Sequence, residues 1–114
     1  MAKHNFEKLN IWKDSLDMSI EIYKLFRNSK NYFLRDQVLR SSLSVPSNIA
    51  EGCERQTEKD FQRFLRVAAG SSGEARTQII FASRINDLDN EIAEELVQRY
   101  RTLSSQIFTF HNKL

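Results

Sequence analysis

RSSLSVPSNIAEGCER, residues Arg40 to Arg55, is the stretch around which the chain is read. It holds the only proline, Pro46, the only cysteine, Cys53, and one of three glycines, Gly52. Its polar residues, with Gln37 just before it, keep one spacing. Gln37, Arg40, Ser44, Asn48, Glu51 and Arg55 step by three or four. At about 100° per residue such steps draw a single stripe along a helix. A stripe of amide, hydroxyl and opposite charges in an otherwise apolar helix reads as a buried polar network, a binding site or a wet face.

Working outward, the composition narrows the choices. The chain has 114 residues, 40% hydrophobic and 28% charged, which suits one domain over 1–114 and excludes wholesale disorder. A core of this size is modest, so burial against other copies would help it. Three glycines and one proline are too few for a fold of many tight turns. No apolar run reaches the roughly 18 residues of a membrane helix, and MAKHNFEKLNIWK lacks a signal-peptide core. A single cysteine makes a reducing cytoplasm the expectation. Net charge is +2, unevenly placed: residues 1–84 carry 14 Lys/Arg and 10 Asp/Glu, residues 85–114 carry 3 and 5. That asymmetry permits a nucleic-acid partner without identifying one.

Four helical segments follow from the periodicity. The first runs from Phe6 or Leu9 to Asn28 and is apolar on two sides. Leu9, Trp12, Leu16, Ser19, Tyr23 and Phe26 are assigned to the core. Ile11, Met18, Ile22 and Leu25 are assigned to a partner subunit. The second runs from Tyr32 to Gly52 or Cys53, with Leu34, Val38, Val45 and Ile49 inward. Pro46 takes away one backbone donor and crowds the carbonyl four residues back, at Ser42. A kinked but continuous helix is expected, with Ser41, Ser42 or water serving that carbonyl. Two short helices broken near Ser44 are the competing reading. Gly52 suits the C-terminal cap region.

The third segment starts at an N-cap, Thr57, and keeps its inner face in register from Phe61 through Ile79, so AAGSSGEA reads as helix rather than linker. The fourth runs from Glu91 to the end, with Leu96, Tyr100, Leu103, Ile107, Phe110 and Leu114 spaced as heptads. Short connections make neighbours antiparallel. The expected fold is all-α, an up-down-up-down four-helix bundle with a kinked second helix.

Enzyme signatures are missing. There is no Gly-rich phosphate loop, no G-x-S-x-G, no H-E-x-x-H, and no Glu-x-x-His pair for a bundle-core metal. His4 and His111 lie near opposite termini and read as surface residues. No cofactor, metal, small-molecule substrate or membrane is expected. The polar stripe has a structural reading: in an antiparallel hairpin Glu51 falls near Lys59, and Arg40 pairs with Glu74 while Asn48 bonds backbone near Pro46. A basic row, Arg55, Lys59, Arg63 and Arg66, projects away from the inner face and could follow a phosphate backbone. Arg76 and Arg84 are lesser candidates. Gly70 and Gly73 share that outward side and would admit a phosphate strand or a neighbouring helix. A solvated face partly neutralised by Glu51 and Glu58 is the competing reading.

The pattern resembles a known family, the 23S rRNA intervening-sequence proteins, related to the accessory variability protein of diversity-generating retroelements. The matching residues are F-x-x-L-x-I-W at Phe6 to Trp12, Tyr23, Gln37, Arg40, and S-V-P-S-N-I-A-E-G from Ser44 to Gly52. F-x-R-F-L at Phe61 to Leu65, A-x-G-S-x-x-E at Ala68 to Glu74, and Gln78 follow. The resemblance implies a non-enzymatic four-helix bundle assembled into a ring, typically a homopentamer. It also implies members encoded within interruptions of large-subunit rRNA genes or standing alone. The retroelement relative binds nucleic acid through a strongly basic surface; this chain departs from it in its net charge of +2, and has Ala75 where a leucine is expected.

Overall fold

The computed structural model describes residues 4–114. A 3₁₀ turn at Phe6–Lys8 precedes four helices: α1 Asn10–Phe26, α2 Tyr32–Cys53, α3 Glu58–Arg84 and α4 Asn90–Lys113. No strand occurs among the described residues. The molecule is a rod, 45 × 21 × 20 Å.

Each boundary has a local cause. Asn31 caps α2 by accepting from the Leu34 amide, and Thr57 caps α3 by accepting from Asp60. Asp89 caps α4 by accepting from Glu91 and Ile92. At the end of α3 the Asp87 amide reaches back to the Ala82 carbonyl (2.8 Å) and the Asn86 amide to Ser83 (3.1 Å). This is a Schellman closure, and Asn86 supplies its left-handed residue with φ 64°. The AAGSSGEA stretch is helical throughout.

Cross-helix hydrogen bonds show the directions. Ser44 meets Ser71 and Ser41 meets Gln78, so α3 runs back along α2. Gln62 donates to the His111 carbonyl and Ser72 bonds Ser104, so α4 runs back along α3. α1 and α4 close the bundle along a looser seam, tied by Glu21 to Arg99 at 2.7 Å. That hydrogen bond to Arg99 holds the Glu21 carboxyl below the usual range, against the opposing effect of burial.

α2 is continuous through Pro46. The carbonyl left without its helical donor, Ser42, accepts from Ser19 Oγ of α1 at 2.9 Å. The expectation that Ser41 or Ser42 serves it is corrected. Ser41 Oγ contacts Val38 O and Gln78, and Ser42 Oγ donates to Leu39 O. Asn48 does bond backbone beside the proline, donating to Ser44 O at 2.8 Å.

The inner faces of α2, α3 and α4 are those read from periodicity, but the face of α1 is not. Ile11, Met18 and Ile22 are core residues, between 0% and 6% exposed, not a partner-facing row. Only Leu25 of that row lies outside, 40% exposed. The row assigned to the core is mixed: Ser19 and Phe26 are buried, Leu9, Trp12 and Leu16 half-buried, and Tyr23 is 52% exposed. The reason is Ser15, fully buried, whose hydroxyl bonds back to the Trp12 carbonyl. It belongs to the core row, 11-15-18-22, yet as a polar residue it interrupts an apolar count.

Gly52 is also corrected. It lies inside α2, with Glu54 as the cap, and a Cβ there would meet Phe64 Cβ at 2.6 Å. There α3 packs directly against the α2 backbone. Gly70 and Gly73 have nothing within 4 Å of an added Cβ. Urea denaturation should therefore separate the glycines. Gly52→Ala should lose about 1–3 kcal/mol through overpacking. Gly70→Ala should gain up to about 1 kcal/mol, the ordinary helix-propensity difference.

One buried side-chain polar atom among the described residues has no partner, the Tyr100 hydroxyl. Burial pushes its phenol up from the ordinary value. The folded chain thus keeps a proton that the unfolded chain releases near pH 10, so this contribution is full below about pH 10 and falls as pH rises. Tyr100→Phe should raise stability by about 1 kcal/mol at neutral pH by removing the orphan group. It should also flatten the alkaline decline, read as urea midpoints on both sides of about pH 10.

Candidate nucleic-acid interface

The N-terminal half of α3 carries the basic row. Lys59, Arg63 and Arg66 are exposed helical residues. Arg55 is not on the helix, as its spacing suggested; it sits in the α2–α3 turn. It nonetheless returns to the row through Phe64, whose ring lies 4.8 Å from the Arg55 guanidinium carbon and 4.5 Å from that of Arg63. Phe64 is 7% exposed, so its packing against Gly52 and two guanidiniums ties the cations to the core.

The charges are partly countered. Arg55 pairs with Glu51 at 3.1 Å and Arg63 with Asp60 at 3.7 Å. Exposed pairs of this kind contribute little stability and leave the guanidinium edges accessible. Glu51 therefore meets Arg55, not Lys59. Lys59 has no ion-pair partner among the described residues. Arg66 Nη1 lies 3.0 Å from His111 Nε2. Arg76 and Arg84 do not join the row. At about 1.5 Å per residue they lie roughly 15 and 27 Å beyond Arg66 along α3. Arg84 instead lines a groove with Glu94 and Arg101.

The polar stripe of α2 is a seam to α3. Ser44 Oγ bonds Ser71 Oγ at 2.8 Å, and Asn48 Nδ2 also donates to Ser44 Oγ at 2.9 Å. Gln37 is half-buried beside it. Arg40 and Glu74 are both exposed, and no ion pair joins them. The contact that does span the helices at this level is Ser41 to Gln78, at 2.5 Å. Three hydroxyls and two amides satisfy this crossing without desolvating opposite charges, which is costly unless their bonding is complete.

The histidines are closer to each other's surroundings than their sequence positions suggest. His4 packs its ring 5.5 Å from Phe110 and 5.9 Å from Phe61, while His111 is the next residue of α4. Cys53 is buried and donates its thiol to the His4 carbonyl at 3.2 Å. Burial raises that thiol, with Glu54 adding to the effect, so it stays protonated and unreactive near neutrality. No group of three His, Cys, Asp or Glu among the described residues could hold a metal. Among the described residues no helix is long and apolar enough to cross a membrane.

With Ile11, Met18 and Ile22 in the core, the apolar surplus lies elsewhere. Leu16, Ile20, Tyr23, Leu39 and Leu43 wall a groove of about 250 Å³ between α1 and α2, floored by Ser19 and Ser42. Ile20, Tyr23 and Leu43 are 45%, 52% and 52% exposed. The periodicity of α1 pointed to a second apolar side but selected the wrong one.

A family model described as 23S rRNA-intervening sequence protein matches residues 7–109. Comparison with curated proteins gives no match. Among solved structures, a protein of unknown function from the S23 ribosomal protein family of Bacteroides thetaiotaomicron superposes with a TM-score of 0.84. It is 21% identical, and the match covers 89% of this chain and 97% of that one, a likeness of fold. No enzymatic family is indicated.

Because Arg40 and Glu74 are solvated and unpaired with each other, Arg40→Ala and Glu74→Ala should each stay within about 0.5 kcal/mol of the parent in thermal melts. Asn48→Ala, which strips two bonds from a half-buried seam, should lose roughly 1 kcal/mol or more.

Proposed function

The chain belongs to the 23S rRNA-intervening sequence protein family, and on that footing we propose that it is a non-enzymatic, homo-oligomeric helical bundle that contacts RNA or DNA through the cationic end of α3. The observation that carries this reading is the group Arg55, Lys59, Arg63 and Arg66. Lys59, Arg63 and Arg66 are exposed within about 10 Å along α3, and Arg55, in the preceding turn, and Arg63 are fastened to the core through Phe64. Cations held at fixed spacing follow a phosphate backbone with little loss of side-chain freedom, and each phosphate met releases counterions.

Assembly is part of the same reading. The chain exposes 7051 Å². A compact chain of 13.4 kDa ordinarily exposes about 6500 Å². The rod-like bundle therefore has surface to bury, and the α1–α2 groove is its uncharged part. In the family pattern the copies close as a ring of five. A protein-interaction module with no nucleic-acid partner is the second reading, favoured by that same groove.

Two measurements test the proposal. Binding of single-stranded RNA should fall with salt, at a log–log slope of about −2 to −3 for three or four phosphates. Lys59→Gln with Arg63→Gln should make the slope shallower by about 1.4. No binding at low salt, or an unchanged slope, removes the nucleic-acid reading. In light scattering the parent should be an oligomer whose mass Leu43→Lys reduces; a monomeric parent removes the assembly reading.

A further inference from the structure

We propose that His111 is a proton-operated latch on Arg66, releasing that guanidinium to phosphate when the imidazole takes a second proton. This rests on the nucleic-acid reading above and adds a control to the same surface. The geometry specifies the protons. Nδ1 of His111 lies 2.8 Å from Asn112 Oδ1, an oxygen that only accepts, so Nδ1 carries the hydrogen. Nε2 lies 3.0 Å from Arg66 Nη1, a group that only donates, so Nε2 keeps its lone pair. His111 is thus the neutral Nδ1–H tautomer, and it occupies one edge of Arg66.

Gln62 holds the arrangement from below, its amide donating to the His111 carbonyl at 3.1 Å. A proton on Nε2 leaves no acceptor for Arg66. It sets two N–H donors and two positive charges against each other at about 3 Å, and the contact breaks. Arg66 then turns outward beside Arg63 and Lys59, and the imidazolium adds a charge of its own.

Charged neighbours of both signs share this end of the bundle. From α3 this end of the bundle presents Glu58, Lys59, Asp60, Arg63 and Arg66, with Asp60 paired to Arg63 at 3.7 Å. From α4 it presents Lys113. The N-terminal segment brings Glu7, Lys8 and the other histidine, His4.

The test has two arms. Side-chain nitrogen NMR should find the Nδ1–H tautomer at about pH 7.5, and protonation near pH 5.5 should shift the Arg66 guanidinium signals. In parallel, single-stranded RNA at about 0.1 M salt should bind roughly fivefold more tightly at the lower pH, the gain of one further phosphate contact. His111→Gln should abolish most of that gain, and His4→Gln should leave it. Arg66→Gln, a surface change at the other partner, should abolish it too. An Nε2–H tautomer at neutral pH, or a gain that survives His111→Gln, overturns the latch. If the tautomer and the Arg66 shift are found but RNA binds at neither pH, the nucleic-acid reading falls, and the role given to the latch falls with it.

Discussion

The hydrogen bond from Ser19 to the Ser42 carbonyl is the contact on which the arrangement of α1 against α2 depends. A proline inside a helix leaves an unpaired acceptor one turn back, and Ser42 is 1% exposed, out of reach of bulk water. Ser19 answers from the neighbouring helix with its single hydroxyl hydrogen, which it shares between Ser42 O and Ser15 O of its own helix, each at 2.9 Å. A hydroxyl that must reach a carbonyl across an interface permits only a narrow rotation and register for α1. Once Ser19 faces α2, Ser15, Met18 and Ile22 turn inward, and Ile20 and Tyr23 turn outward with Leu43. The apolar groove on the outer face thus follows from the same constraint that satisfies the proline.

At the other end of α2 the constraint is steric. Gly52 lets α3 approach until Phe64 Cβ occupies the space of an absent side chain. That places Phe64 under Arg55 and Arg63, and sets the cationic end of α3 relative to the core. Between these two points the α2–α3 seam is closed by small polar groups, Ser41 with Gln78 and Ser44 with Ser71 and Asn48. Hydroxyls and amides satisfy one another at short range with few atoms, so they fit a close helix crossing where an Arg–Glu pair would need room and water.

The helices were legible because their signals are redundant. In α3 the inner face runs from Phe61 to Ala82 with every expected position buried, and Thr57 caps it. In α4 the heptads place Leu96, Tyr100, Leu103 and Ile107 in the core. α1 was not legible because both of its sides are apolar, and the deciding residues, Ser15 and Ser19, are polar ones whose value lies in size and a hydroxyl. The basic row was visible as a spacing. Its bond to His111 was not, since Arg66 and His111 are 45 residues apart and meet only through the antiparallel pairing of α3 and α4.

The carbonyl left by Pro46 ties these features together, and a double-mutant cycle on folding free energy tests it most directly. Ser19→Ala in the parent should lose roughly 1–3 kcal/mol, the penalty of a buried acceptor left unmade. In a Pro46→Ala background residue 46 regains its amide hydrogen and serves Ser42 itself, so the same Ser19→Ala change should lose less than about 0.5 kcal/mol. Equal losses in the two backgrounds would contradict the account.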